Sequence, residues 1–284
     1  MASMRDIKRR KSSIQSTQQI TKAMKLVSTV KLQSAKQRAE HSKAYFHTMY
    51  QTVSSILLKA GEIKHPYVTG FDTPRKAVVM ITGNRGLAGG YNSNLIKLIT
   101  KGEFVKEDLE IYAIGTKGRD ALTRSGYHIK EVYQKLAEKA SYTEVMEISH
   151  NLLSAYKNGE VGEVYLAYTS FKNTVSHEPK LIKLLPADTP EASAGKAEDI
   201  LMNFEPGAEE ILEYIIPQYI SSLIFGGLLE SVASENGARM QAMDSATGNA
   251  EEMIENLSLL YNRARQGTIT QELTEIIAGA EAIS

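Results

Sequence analysis

The stretch MDSATGNAEEMIENLSLLYNRARQG, Met243 to Gly267, decides how the rest of the chain is read. Apolar or small residues fall at Met243, Ala246, Ala250, Met253, Leu257, Leu260, Ala264 and Gly267. The steps alternate three and four, the spacing of a heptad seam on an α-helix. Helical character extends on both sides, over 209–282, which predicts a helix on the order of 110 Å long at ~1.5 Å per residue. A helix of that span with one apolar seam needs a partner helix, and the comparable candidate lies at the other end of the chain.

Residues Met1 to Ala60 contain neither glycine nor proline, so one continuous helix is expected there. Its seam is expected along Ile20, Ala23, Val27, Val30 and Ser34, with Met24, Leu26 and Leu32 off that line. Apolar character on more than one face suits a helix surrounded by protein better than a plain two-stranded coil. The bland alternative is a solvated basic helix.

Composition narrows the function. The 284 residues carry no net charge, which gives no electrostatic footprint for nucleic acid. The balance hides an asymmetry. The first forty residues hold Arg5, Lys8, Arg9, Arg10, Lys11, Lys22, Lys25, Lys31, Lys36 and Arg38, whereas the last forty are rich in Glu251, Glu252, Glu255, Glu272, Glu275 and Glu281. Cysteine is absent, which excludes disulfides, thiolate metal sites and a cysteine nucleophile. The most apolar window, Ile211 to Leu229, is broken by Glu213, Pro217 and Gln218, so no membrane span is expected. The basic, serine-containing N-terminus lacks the apolar core of a signal peptide, and a cytosolic protein is expected.

Between the helices the pattern changes. Gly61 to Pro74 is a breaker-rich linker. AVVMIT, Ala77 to Thr82, reads as a buried strand, followed by the turn GNRGLAGG (Gly83 to Gly90) and a helix over Tyr91 to Lys101. A second strand is expected at Leu109 to Gly115, a second helix at Thr116 to Ser125, and a short strand at Ile129 to Tyr133. Tyr142 to Lys157 reads as helix, and Val161 to Phe171 and Pro179 to Leu185 as strands, the last two forming an antiparallel hairpin. This order predicts a small, mostly parallel sheet with helices on its faces. Pro186 to Gly207 is expected to be loop. The fold class is thus α/β plus long α: an antiparallel two-helix coiled coil of the termini (1–60 and 207–284) with a Rossmann-like domain (75–190) between them.

Catalytic signals are weak. The glycines of 83–90 follow a strand and open a helix, where a phosphate could dock. Their spacing, however, is neither the dinucleotide pattern nor a Walker loop, and a tight structural turn is the default. The six histidines lack the spacing of a paired ligand site, no nucleophile elbow occurs, and no cofactor or metal is expected. The directional polar groups lie on the long helices instead: Glu235, Asn236, Arg239, Gln241, Asn249, Asn262, Arg263, Arg265 and Gln266.

Three stretches in order carry a resemblance: IKRRKSSIQSTQQITKAMKLVSTVKLQSAK (Ile7 to Lys36), ENGARMQAMDSATGNA (Glu235 to Ala250) and YNRARQGTITQELTEIIAGAEA (Tyr261 to Ala282). With NRGLAGGYN (Asn84 to Asn92), they make the whole chain similar to the gamma subunits of F-type ATP synthases, closest in character to bacterial members. The cysteine-bearing regulatory insert of the chloroplast branch is missing. The resemblance implies a non-catalytic rotor shaft in a proton-translocating machine, at the cytoplasmic face of the bacterial plasma membrane. It implies as partners a ring of three alpha and three beta subunits, an epsilon subunit and the membrane c ring. It also implies that Arg265 and Gln266 hydrogen-bond a beta-subunit loop, that Arg9, Arg10, Lys11 and Lys22 face acidic beta-subunit segments, and that Met24 lies near one. Small and hydroxyl residues such as Ser13, Ser16, Ser28, Ser34, Ala278 and Ala280 fit an interface that must slide. The competing readings are a phosphate-ligand enzyme dimerised by its helices and a coiled-coil scaffold at an acidic membrane surface.

Overall fold

The computed structural model describes residues 3–59, 65–187 and 207–281. The elements run α1 (Met4–Lys59), α2 (Pro66–Thr69), β1 (Lys76–Ile81), α3 (Tyr91–Thr100), β2 (Leu109–Ile114), α4 (Thr116–Arg124), β3 (His128–Tyr133), α5 (Tyr142–Lys157), β4 (Glu163–Phe171), β5 (His177–Leu185) and α6 (Ala208–Glu281). Most of the expected loop between Pro186 and Gly207, and part of the Gly61–Pro74 linker, lie outside the described residues. The part of that linker that is described holds α2, a single turn that the sequence reading did not foresee. Proline stands at its start, where the missing N–H costs nothing, and the His65 Nδ1 accepts the Tyr67 N–H at 3.2 Å.

The chain divides into two compact units, Met1–Ser28 with Arg239–Ser284, and Thr29–Ala238. Both long helices contribute to both units.

The larger unit is built on a five-stranded sheet of order β3-β2-β1-β4-β5. β1 pairs parallel with β2 and β4, β2 pairs parallel with β3, and β5 returns antiparallel to β4. The central strands are covered on both faces, which is why KAVVMI reads as a continuous apolar run rather than an alternation. One face of β1 (Ala77, Val79, Ile81) packs with α5, with Val53, Ile56 and Leu57 of α1, and with Leu212, Ile216, Ile220, Ile224 and Leu228 of α6. The other (Val78, Met80) packs with Leu95 and Ile99 of α3 and Leu122 of α4.

This packing corrects one expectation. By length and composition, a window within Glu210–Ala280, of mean hydropathy 1.3, is long and apolar enough to cross a membrane. Its apolarity comes from packing within the larger unit: the i, i+4 row from Leu212 to Leu228 is fully buried against the sheet. Pro217 sits inside α6 without ending it, and the Ser221 hydroxyl donates to the Pro217 carbonyl at 2.8 Å.

The smaller unit is a pair of antiparallel helices. Gln18 Nε2 donates to Glu251 at 2.9 Å, the Thr21 and Thr247 hydroxyls meet at 2.8 Å, and Lys25 Nζ lies 2.6 Å from Asp244. The α6 number falls as the α1 number rises, which fixes the sense of the pairing.

Candidate functional site

Two places could carry function: the glycine turn after β1 and the outer surface of the paired ends.

The turn is occupied by the chain itself. Gly83 N–H donates to Asn92 Oδ1 at 2.9 Å, and Thr116 N–H, at the first turn of α4, donates to Asn84 Oδ1 at 3.0 Å. The Asn84 amide in turn donates to the Gln134 carbonyl at 2.9 Å. Amides that would greet a phosphate are therefore held by side-chain oxygens. A Cβ added at Gly83 would lie 2.6 Å from Oε1 of Glu235, whose side chain is buried. A carboxylate stands beside the position that an anionic ligand would need. The helix that carries it is tied to the neighbouring strand: Thr169 N–H donates to the Ser231 hydroxyl, and the Ser234 hydroxyl donates to the Thr169 carbonyl. Among the described residues, no group of three or more histidine, aspartate or glutamate side chains could hold a metal ion.

On the paired ends, the α1 seam is not where the sequence pattern placed it. Ile20, Val27 and Val30 are 60%, 57% and 69% exposed, and Ala23 is exposed as well. The inward line runs through Met4, Ile7, Lys11, Ile14, Gln18, Thr21, Lys25 and Ser28, with Thr21 and Ser28 only 8% and 2% exposed. It too alternates three and four, but it is offset by two residues, roughly 200° around a helix at ~100° per residue. Two close backbones leave room for hydroxyls that satisfy each other, as Thr21 and Thr247 do, while the bulky β-branched residues turn outward. The α6 seam is half as expected. Met243, Ala250 and Leu257 are buried and Ala264 is half-buried. Met253 and Leu260 are exposed, Ala246 is only half-buried, and Gly267 is exposed with open space beside it. The positions one residue on, Thr247, Ile254, Tyr261 and Thr268, complete the inward line. Apolar or small residues trace the wrong line on α1 because hydroxyls and long polar side chains, Lys11, Gln18, Thr21 and Lys25, hold inward positions. The signal was the seven-residue recurrence of Ile7, Ile14, Thr21, Ser28 and Ala35.

The residues singled out for partner contact divide in two. Arg9, Arg10, Lys22, Arg265 and Gln266 are exposed, Arg9 with Asp6 at 3.4 Å. Lys11 and Met24 are half-buried, Lys11 on the inward line itself. From Ile269 to Ala280 every α6 residue is exposed, including Leu273, Ile276 and Ile277.

This arrangement has relatives. The family model described as ATP synthase matches residues 3–283. The ATP synthase gamma chain of Lachnoclostridium phytofermentans is 62% identical over 291 residues, covering all of both chains. The chain belongs to the ATP synthase gamma-chain family. Among other members, the gamma chain of Alkaliphilus metalliredigens is 43% identical over 99% of this chain and 98% of its own. One from Acetobacterium woodii, described as sodium ion specific, is 40% identical over 99% of both. Solved structures share the fold. A chain of the Euglena gracilis mitochondrial ATP synthase matches with a TM-score of 0.69 at 18% identity, covering 99% of this chain and 94% of that one. A chain of the Tetrahymena thermophila mitochondrial ATP synthase, from the central stalk and c-ring, matches with a TM-score of 0.59 at 24% identity, covering 80% and 99%. The family's long helices at both termini and the mixed sheet between them are the architecture described above. As a gamma chain, this protein is a stalk subunit of an ATP synthase.

Proposed function

We propose that this chain is the turning shaft of a bacterial F-type ATP synthase, seated in a ring of three alpha and three beta subunits and held at its other end by an epsilon subunit and a membrane c ring. The observation that carries the reading is the antiparallel pairing of the two chain ends, with bulky apolar side chains bare on the outside. A shaft needs no bond chemistry of its own. It must present a different face to each of three identical catalytic neighbours, and so act as a ligand with unequal affinity for their open and closed forms. Driving a site from mostly one form to mostly the other takes about 5.5 kcal/mol of differential binding. The two helices have different sequences, so the pair has no rotational symmetry and each neighbour meets a different surface.

Arg265 and Gln266 are exposed and stand side by side on α6. A guanidinium and a primary amide are directional donors, suited to a loop that is gripped in one orientation and released in the next. Arg9, Arg10 and Lys22 supply exposed positive charge toward acidic segments; Lys11 and Met24, half-buried, act from the edge of the pair. The complex lies at the cytoplasmic face of the membrane, and the coupling ion is the proton. Dependence of transport on sodium at fixed pH, measured in the reconstituted complex, would reverse that last point. The central test is the double variant Arg265→Ala/Gln266→Ala. Reconstituted ATPase and ATP-driven ion transport should fall while the chain's circular dichroism stays unchanged. Unaltered turnover and coupling would remove both residues from the contact.

A further inference from the structure

The tip of the β4–β5 hairpin carries a histidine that takes no part in the contacts described above. His177 opens β5 and stacks its ring on Phe171, its partner across the hairpin, at 5.9 Å between centres. The imidazole also lies against the backbone of α6: a Cβ added at Gly237 would stand 2.7 Å from its Cε1 and 3.1 Å from its Nε2. Glycine weakens a helix interior, and here its bare backbone makes the seat for the ring. We propose that the hairpin tip is an acid-released clasp on α6, closed over Gly237 while His177 is neutral and opened when that ring takes up a proton.

The seat suits one charge state. Both ring nitrogens are sealed from solvent, and among the described residues neither makes a hydrogen bond of ordinary geometry. A neutral imidazole has one N–H to place and an imidazolium has two. The Thr174 carbonyl in the turn favours the charged form, but burial opposes that form more strongly. Protonation therefore adds a donor and a charge that the seat does not satisfy, and the open tip, where water reaches the ring, takes the proton. The charged neighbours are engaged elsewhere. Lys172 lies 2.6 Å from Glu178, whose carboxyl its hydrogen bond holds below the ordinary range, and Glu230 accepts the Phe171 N–H at 3.1 Å. Glu235 and Arg239 stand on α6 two residues either side of Gly237, and Lys36 and Glu40 of α1 line a cavity beside Phe171 and Lys172. Burial outweighs their charges at the ring.

The tip can leave α6 as a unit. Asn173 Oδ1 accepts the N–H groups of Val175 at 2.9 Å and Ser176 at 2.8 Å, which closes the turn on itself. Further in, Thr169 N–H donates to the Ser231 hydroxyl at 3.1 Å, and the Ser234 hydroxyl donates to the Thr169 carbonyl at 3.2 Å. Those two bonds hold no ionisable side chain, so acid leaves them in place and the opening is confined to 171–177.

Hydrogen exchange of the full-length chain, corrected for the pH dependence of intrinsic rates, is the test. An open tip with the ordinary histidine pKa of about 6.5 holds about ten protonated rings for each neutral one at pH 5.5. Protection over 171–177 should therefore fall by up to about tenfold between pH 7.5 and 5.5. Low urea should leave exchange at the tip unchanged at both pH values, the mark of local opening rather than global unfolding. His177→Phe keeps the stacked ring without the titration and should abolish the pH difference; His177→Leu serves the same end if the larger ring does not fold. Gly237→Ala crowds the seat and should lower protection of the tip already at pH 7.5. Protection that is the same at both pH values, an equal loss in the His177 variants, or tip exchange with the urea dependence of β1 would overturn the clasp.

Discussion

Gly83 illustrates how little freedom a single position has here. Its missing side chain is what lets the Glu235 carboxylate lie against the turn, 2.6 Å from where a Cβ would be. Gly83→Ala must displace a buried charge, and should cost ~1–3 kcal/mol, the range for overpacking, read as a lower urea midpoint with unchanged slope. His177 offers a pH test. It is packed against the Phe171 ring at 5.9 Å and beneath Gly237, and burial lowers its pKa from the usual 6.5. The folded state then holds a neutral imidazole that the unfolded chain would protonate. Stability is complete above about 6.5 and declines as pH falls from there toward the folded-state pKa. Urea titrations between pH 7.5 and 5 should show that decline, and His177→Gln should flatten it.

Among the elements, the sheet was the easier part to read. Parallel strands buried on both faces announce themselves as unbroken apolar runs, and Ala77–Thr82 differs from β1 by one residue at each end. The α1 seam was illegible to an apolar count because its inner face is lined with hydroxyls and long polar side chains, while Ile20, Val27 and Val30 point away. A stripe pattern says that a helix has an apolar face; it does not say which neighbour covers it. The structure separates the two faces by experiment. Val27→Ser, on the bare face, should leave the thermal midpoint of the chain within the scatter of surface changes, ~0.5 kcal/mol. Ser28→Leu, at a 2% exposed position, should cost ~1–3 kcal/mol by overpacking. Equal effects would mean that the seam is misplaced. The Thr21–Thr247 pair belongs to the same argument. Each hydroxyl also reaches a carbonyl of its own helix, Thr21 that of Gln18 at 3.0 Å and Thr247 that of Met243 at 2.7 Å, so Thr21→Val removes the cross-helix bond without stranding Thr247 and should cost ~0.5–1.5 kcal/mol, with the double variant costing less than the sum of the two single ones. The glycine turn was legible as a turn from its spacing. The asparagines that close it were not, since Asn84 reaches Thr116 and Gln134, residues far along the chain.

For the molecule as a whole, the charge asymmetry of the two ends looked like an attraction between them. Its contribution is small: Lys25 is half-buried but its partner Asp244 is exposed, and ion pairs open to water contribute between nothing and ~1 kcal/mol. Raising salt from 0.1 to 1 M should therefore barely shift the unfolding midpoint of the chain. Binding to acidic partner segments through Arg9, Arg10 and Lys22 should weaken over the same range, visible in the salt dependence of reassembly.

The uncovered leucines and isoleucines of α6 bear on supply. A copy made without its neighbours carries Ile269, Leu273, Ile276 and Ile277 into the solvent on a single helix. Such residues are what chaperones and proteases seize. A surplus of this chain over the rest of the machine should be short-lived in the cell, so that its abundance follows the number of completed assemblies rather than the rate of its own translation.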